Sequence, residues 1–324
     1  MKIIAIILLL LAIQFSAAAQ DKLPGSLNKY RIVYNVLFDK EKDDYEVFSM
    51  NADGSDKRNI SNWKGVDWAY TAYKDKVYWI SDRGACHRCY FLYESDAYGN
   101  NLRKVSEQRL QDSWLGFRNK GREAVIDPRH EDREKQAFWL IDTATGKMLK
   151  ELPVKLASIN DPLFSADGKH IIFRGSEEKS TPQRKKFDEL FVMDADGGNL
   201  RQLTTYPADD KTAPWHSYHA GPPRWNSKLK MFTYQSFQQG KYQLFGIGFN
   251  GGAAIKIGDF AWDAGWHDWT ANGRWLAIEM ETGKQPYSAE IYLYDMKTKA
   301  LKKITSGDFR IHQAPTFALK PKEK

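Results

Sequence analysis

"DADGGNLRQLT", residues 194–204, reads as the end of one strand, a tight turn and the start of another. Asp, Asn and Gly supply the positive φ that a short hairpin turn needs. The same outline recurs in "NADGSDKRNIS" (51–61), "DAYGNNLRKVS" (96–106), "DTATGKMLKELP" (142–153), "GFNGGAAIKIG" (248–258) and "DMKTKALKKIT" (295–305). Taking Gly54, Gly99, Gly146, Gly197, Gly251 and Thr298 as markers, successive differences are 45, 47, 51, 54 and 47 residues. A repeat of that period is one supersecondary unit, too small to bury its own faces and therefore stacked with its neighbours.

Each unit has the same internal order. An aromatic marks the first strand (Trp68, Trp114, Phe164, Trp225, Trp269, Phe317), and a polar turn such as "SADG" (165–168) or "TANG" (270–273) follows. An apolar strand returns ("KVYWIS", "HIIFRG", "WLAIEM"). A loop of varying length and a third strand ("YFLYES", "ELFVMD", "EIYLYD") lead to the repeated turn. Short runs rich in Val, Ile, Phe, Tyr and Trp between Gly, Asp and Asn are β-meanders. The six inner-strand aromatics are expected in the core. After the sixth turn, "HQAPTFAL" (312–319) supplies one strand, whereas "KYRIVYNV" and "YEVFSMNADGSDKRNIS" at the other end supply three. The fold class expected is all-β: a six-bladed β-propeller closed by a blade shared between N- and C-terminal strands, which leaves no open edge.

At these residues the chain resembles the TolB family of propellers, whose units read Pro-x-Trp-Ser-Pro-Asp-Gly, an apolar strand, then Asn-Ala-Asp-Gly, Arg and Leu-Thr. "NDPLFSADGKHIIFRG", "ELFVMDADGGNLRQLT" and "NADGSDKRNIS" carry the likeness. It implies an exported propeller that binds a partner protein on one face. TolB itself carries an α/β domain ahead of its propeller, whereas here Leu23 to Lys29 leads almost directly into the first strand. The expectation is a stand-alone relative.

Lys2, the apolar run Ile3 to Ile13 and Ala17 to Ala19 form a secretory signal peptide. The run is shorter than the ~20 residues a membrane span requires. Residues 1–19 are thus expected to be removed and 20–324 to form one domain, periplasmic or secreted, with no transmembrane segment in the mature chain. The net charge of +7 is spread along the chain. The basic runs "RKKFDE" (184–189) and "LKPKEK" lack the interleaved aromatics of a nucleic-acid platform, so nucleic acid is excluded.

Propeller topology gathers two classes of loop at one mouth of the central channel, and five of the seven histidines fall there: His87, His216, His219, His267 and His312. The connection 204–225 carries Trp215, His216, Tyr218 and His219. The next carries Trp262, Trp266 and His267, and the last His312 with Gln313. Long loops in compact domains are usually functional. These residues are the expected binding mouth, formed by blades four to six, and exposed Trp and Tyr there suit an envelope protein partner. Trp63 is grouped with them.

His219, His267 and His312, from three neighbouring blades, also form a candidate set for a divalent transition metal. Alternatively they cap backbone or stack on neighbouring aromatics. A metal would point to an enzyme acting on acidic polysaccharide, resembling oligogalacturonate lyase, with Gln313 at the metal and Arg174 or Arg224 holding a carboxylate. Cys86 and Cys89 read as a short disulfide, with a redox or metal role alongside His87 as the alternative. Asp67, Asp112, Asp161 and Asp268 recur just before inner strands and read as loop caps.

Overall fold

The computed structural model describes residues 25–322 except 133, 180–187, 215, 216, 282 and 284–287. The signal-peptide segment, Trp215, His216 and most of the 184–189 basic run lie outside the described residues. Strands β1 (Tyr30–Asp39), β2 (Asp44–Asn51) and β3 (Arg58–Asn59) begin the first sheet. Blade 2 is β4 (Asp67–Tyr73), β5 (Lys76–Ser81), β6 (Phe91–Asp96) and β7 (Arg103–Arg109). Blade 3 is β8 (Gly116–Arg118), β9 (Glu123–Ile126), β10 (Ala137–Asp142) and β11 (Met148–Pro153). Blade 4 is β12 (Ser158–Phe164), β13 (His170–Ser176), β14 (Glu189–Asp194) and β15 (Arg201–Gln202). Blade 5 follows as β16 (Arg224–Asn226), β17 (Met231–Gln238), β18 (Lys241–Ile247) and β19 (Ile255–Lys256). Blade 6 is β20 (Asp263–Trp269), β21 (Trp275–Glu281), β22 (Ala289–Asp295) and β23 (Leu301–Lys303), and β24 (His312–Leu319) returns to pair with β1.

Six four-stranded sheets result, the first in the order β24-β1-β2-β3. This is the six-bladed propeller with the shared closing blade. The core lies between blades, where apolar faces meet. Ile32 and Met50 of blade 1 pack with Ala277, Ile291 and Leu293 of blade 6, and Val33 and Val47 pack with Val77 and Trp79 of blade 2.

The repeated turn also ties blades together. A Cβ added to Gly99, at φ +82°, would sit 2.6 Å from the Ile60 carbonyl oxygen of the preceding blade. Glycine therefore meets two demands there, a left-handed backbone and a close approach. The arginine a few residues on reaches the other way: Arg103 donates to the Thr143 carbonyl (2.6 Å) and Arg201 to that of Phe249 (2.7 Å), each in the following blade. The motif is an inter-blade clasp as well as a hairpin.

Of the six marker aromatics, Trp114, Phe164, Trp269 and Phe317 are buried in the core as expected, with Trp68 and Trp225 half-buried against it, but they do not share one register. Phe164, Trp225, Trp269 and Phe317 stand opposite Ile171, Phe232, Leu276 and Ile32. The matching positions in blades 3 and 2 are Phe117, opposite Ala124, and Ala72, opposite Val77. Trp114 and Trp68 therefore lie three and four residues before that position, nearer the channel mouth.

Candidate functional site

The inner strands carry bulges where they approach the mouth. Register shifts fall between Ala69 and Thr71 in β4, Asn160 and Leu163 in β12, and Ala264 and His267 in β20. A bulge lets a strand turn a side chain out of its alternating pattern, and such irregularities gather beside functional sites. Asp161, at φ +57°, sits in the β12 bulge. Its carboxylate accepts the Trp114 backbone N–H (3.0 Å) and a bond from Arg174 Nε.

The bulges surround a cavity of about 400 Å³ at the mouth. Blades 2, 3 and 6 contribute Trp68 with Tyr70, Trp114 with Asp112, and Trp266; blades 4, 5 and 1 contribute Asp161 with Arg174, Tyr218 and Gln313. Each blade or its entering connection thus reaches the axis. Trp68 and Trp266 pack edge to face with ring centres 5.7 Å apart, and Trp114 meets Trp266 at a tilt, 5.3 Å between centres. A second, wider recess of about 730 Å³ holds Phe38, Asp43, Glu279 and Phe309, and meets the first at Tyr45 and Gln313.

Electrostatically the mouth is uneven. Arg174 is engaged by Asp161, Asp188 (Nη1, 2.9 Å) and Asn160 (Nη2, 3.0 Å). Arg88 is held in two bonds by Asp43, at 2.6 and 2.8 Å. Asp112 lines the cavity and stays exposed to solvent; partial desolvation, then the nearby Asp161, raises its carboxyl against a weaker pull from Arg174. Glu279 accepts the Ala314 N–H at 3.1 Å, and burial raises its carboxyl to about 8. Behind Trp114, the buried Arg224 donates to the carbonyls of Tyr70 (3.1 Å) and Pro223 (3.0 Å), and burial lowers it to about 10. The indole N–H groups of Trp68, Trp114 and Trp266 are buried with no hydrogen-bond partner among the described residues.

The histidines are placed separately. His267 is buried, its Nε2 2.7 Å from Thr233 Oγ1, which also accepts the Trp269 indole N–H at 2.8 Å. Burial and the neighbouring Arg224 push its imidazole down to about 3. His312 is fully buried, with Nδ1 3.3 Å from Ala289 O and 3.3 Å from Glu290, while Nε2 lies 3.4 Å from Asp308. His219 stacks on Tyr206, centroids 3.7 Å apart, with Nδ1 3.8 Å from Glu189. His87 is exposed beside Asp43 at 3.0 Å. Among the described residues no three His, Cys, Asp or Glu side chains are grouped to hold a metal ion. Cys86 and Cys89 are joined by a disulfide, and Arg109 donates to Cys89 Sγ at 2.9 Å.

Of the other expected mouth residues, Tyr218, Trp266 and Gln313 line the cavity. Trp262 is exposed and leans on Tyr292, 5.8 Å between ring centres. Trp63 is also exposed, with the Arg83 guanidinium over its ring at 5.3 Å. Three of the four aspartates cap or pair: Asp67 with Arg83, Asp161 as above, and Asp268 by accepting Thr316 Oγ1 (2.9 Å) and the Phe317 N–H (2.8 Å). Asp112 departs from the pattern. Trp68, Trp114, Asp112 and Asp161 are the cavity residues that sequence reasoning assigned to structural roles.

Comparison with solved structures settles the architecture. TolB from Acinetobacter baumannii superposes with a TM-score of 0.65 at 12% identity, over 90% of this chain and 67% of that one. A putative TolB from Agrobacterium tumefaciens gives 0.57 at 14% identity, over 86% and 88%. The fold is that of a TolB-like propeller. An oligogalacturonate lyase from Vibrio parahaemolyticus also shares it, with a TM-score of 0.50 at 10% identity over 82% of this chain and 72% of that one. No protein-family profile and no curated protein sequence matches the chain. No helix among the described residues is long and apolar enough to cross a membrane.

Proposed function

We propose that this TolB-like propeller is an exported binding module of the cell envelope that takes a protein partner at its channel mouth. In this reading residues 1–19 are a cleaved signal peptide, and 20–324 work as one domain in the periplasm or outside the cell. The observation that carries the reading is the mouth itself. The cavity between the tryptophans and the wider recess beneath Phe38 and Phe309 meet at Tyr45 and Gln313, giving one continuous aromatic concavity with charged walls. Tyr and Trp anchors ringed by polar groups are what protein interfaces concentrate at their centres. Phe38, 51% exposed, stands at the edge of that concavity as an apolar contact open to a partner.

Site-specific photocrosslinking in the native host tests this. A photoreactive residue at Phe38 or Gln313 yields one discrete adduct, identified by mass spectrometry, and the same residue at Met148 on an outer strand does not. Identical adducts from all three positions, or none from the mouth, contradict the reading. No observation among the described residues favours the metal-dependent lyase as a second reading.

A further inference from the structure

The loop 82–90 carries the disulfide between Cys86 and Cys89, and two of its residues, Arg88 and Tyr90, line the mouth cavity. As a structural pin the bond has little to hold. Its cysteines are three apart in sequence, and the shortest loops are those whose closure removes the least entropy from an unfolded chain. Hydrogen bonds already fix the same loop. Cys89 N–H donates to Cys86 O at 2.8 Å, Ala85 N–H to Asp82 O at 3.0 Å, and Arg88 N–H to the Asp82 carboxylate at 3.0 Å.

The two sulfurs are unlike. Cys86 is exposed, as are Gly84, Ala85 and His87 around it, whereas Cys89 is 6% exposed. Arg109, at the end of β7, donates from Nη2 to Cys89 Sγ at 2.9 Å and pairs with no carboxylate among the described residues. A guanidinium facing a disulfide gains little, because neutral sulfur is a weak acceptor. Facing a thiolate, it makes a charge-assisted bond about twice as strong as a neutral one. Nearby carboxylates are engaged elsewhere: Asp82 accepts the N–H groups of Val66 (3.1 Å) and Arg88, and Asp43 is held by the Arg88 guanidinium and His87. The surroundings of Cys89 thus suit a reduced, anionic sulfur better than the oxidised one present.

We propose that Cys86–Cys89 is an exchangeable, oxidising disulfide that takes two electrons from a dithiol. A thiolate of the dithiol attacks the exposed Cys86 Sγ, the S–S bond breaks, and its electron pair leaves on Cys89 Sγ, where the Arg109 N–H stabilises the thiolate. A stabilised leaving thiolate departs faster. The second thiol of the dithiol then attacks its own sulfur in the mixed disulfide, closing the dithiol into a disulfide and releasing Cys86. Of the two protons the dithiol gives up, Cys86 takes one and the solvent the other. This goes beyond the docking of a protein at the mouth and does not depend on it.

The test is a redox titration of the purified mature chain in glutathione mixtures, with free thiols capped by a maleimide and counted by mass. The pair is half-reduced within the range those mixtures span, whereas structural disulfides resist reduction by glutathione. Arg109→Leu shifts the equilibrium about tenfold toward the disulfide, roughly 30 mV. In Cys86→Ser the lone Cys89 thiol ionises below the ordinary cysteine range, and adding Arg109→Leu moves it up. The reduced chain melts no lower than the oxidised one. Dithiothreitol supplies the small dithiol and reduced, unfolded ribonuclease A the protein one. Oxidation of both places protein dithiols among the substrates, and oxidation of dithiothreitol alone restricts them to small molecules. A pair that glutathione leaves oxidised, an unshifted equilibrium in Arg109→Leu, or a reduced chain that melts well below the oxidised one overturns the proposal and makes the bond a structural pin. If Arg109→Leu does not fold, ionisation of Cys89 in Cys86→Ser decides, and a value in or above the ordinary range overturns the proposal. The crosslinking result stands apart: an adduct without exchange removes this inference alone, and exchange without an adduct removes the docking reading alone.

Discussion

The histidines of blades 5, 6 and 1 and the tryptophans at the mouth offer a comparison within one end of the molecule. His267 and His312 stand among partners, the first against Thr233 and the second between Ala289, Glu290 and Asp308. Trp68, Trp114 and Trp266 line the cavity with their N–H groups buried, and the exposed Asp112 stands beside them. Both sets consist of residue types that often do chemistry. The difference is placement: the two histidines are enclosed by the blades, whereas the three tryptophans line the cavity. An unpartnered atom does not by itself separate the sets, since His312 Nε2 and the Trp79 and Trp275 N–H groups also lack a hydrogen-bond partner among the described residues.

The largest effect expected on breaking this contrast is at the supporting ion pairs. Arg174→Ala removes the guanidinium that pairs with both Asp161 and Asp188. Removing one partner of a buried charge network costs about 3–5 kcal/mol. Urea unfolding reads it directly, and a cost under about 1 kcal/mol would mean that the network is solvent-screened.

His267→Ala comes next. It leaves a cavity and strips a hydrogen bond from Thr233, costing about 2–3 kcal/mol while leaving ligand binding at the mouth unchanged in the fraction still folded. The pH dependence sharpens the point. Burial and Arg224 hold the folded imidazole at about 3 against an ordinary 6.5. Between those values the unfolded chain binds the extra proton, so the contribution of His267 is full above about 6.5 and is lost as pH falls through about 3. His267→Gln flattens that part of the stability profile. A wild-type profile with no slope there would mean that the ring is hydrated.

The smallest effect is at the rim. Trp262→Ala removes an exposed side chain resting on Tyr292 and changes stability by less than about 0.5 kcal/mol. Partner capture from Gln313 is untouched, since Trp262 is not among the cavity's lining residues. Loss of that capture in this variant would move the site outward to the rim.

Much of the fold was legible because its repeat is enforced locally. A hairpin turn requires positive φ, so Gly54, Gly99, Gly146 and Gly197 mark the blades whatever lies around them. The shared closing blade followed from counting strands at the two ends. The site was less legible because a bulge changes which residue faces the channel without changing composition. Trp68 and Trp114 look like the core aromatics Phe164 and Phe317 in sequence, and only strand register places them three or four residues nearer the mouth. Asp112 resembles the capping Asp161 and Asp268 for the same reason. The histidines drew attention by type, and their burial, which sequence does not report, settled their partners.

The most direct measurement is photocrosslinking at the mouth in the native host. A photoreactive residue at Gln313, which lines both the cavity and the wider recess, captures one discrete protein, and the same residue at the exposed Met148 captures none. Equal capture at the two positions, or none at Gln313, would contradict the account at its base.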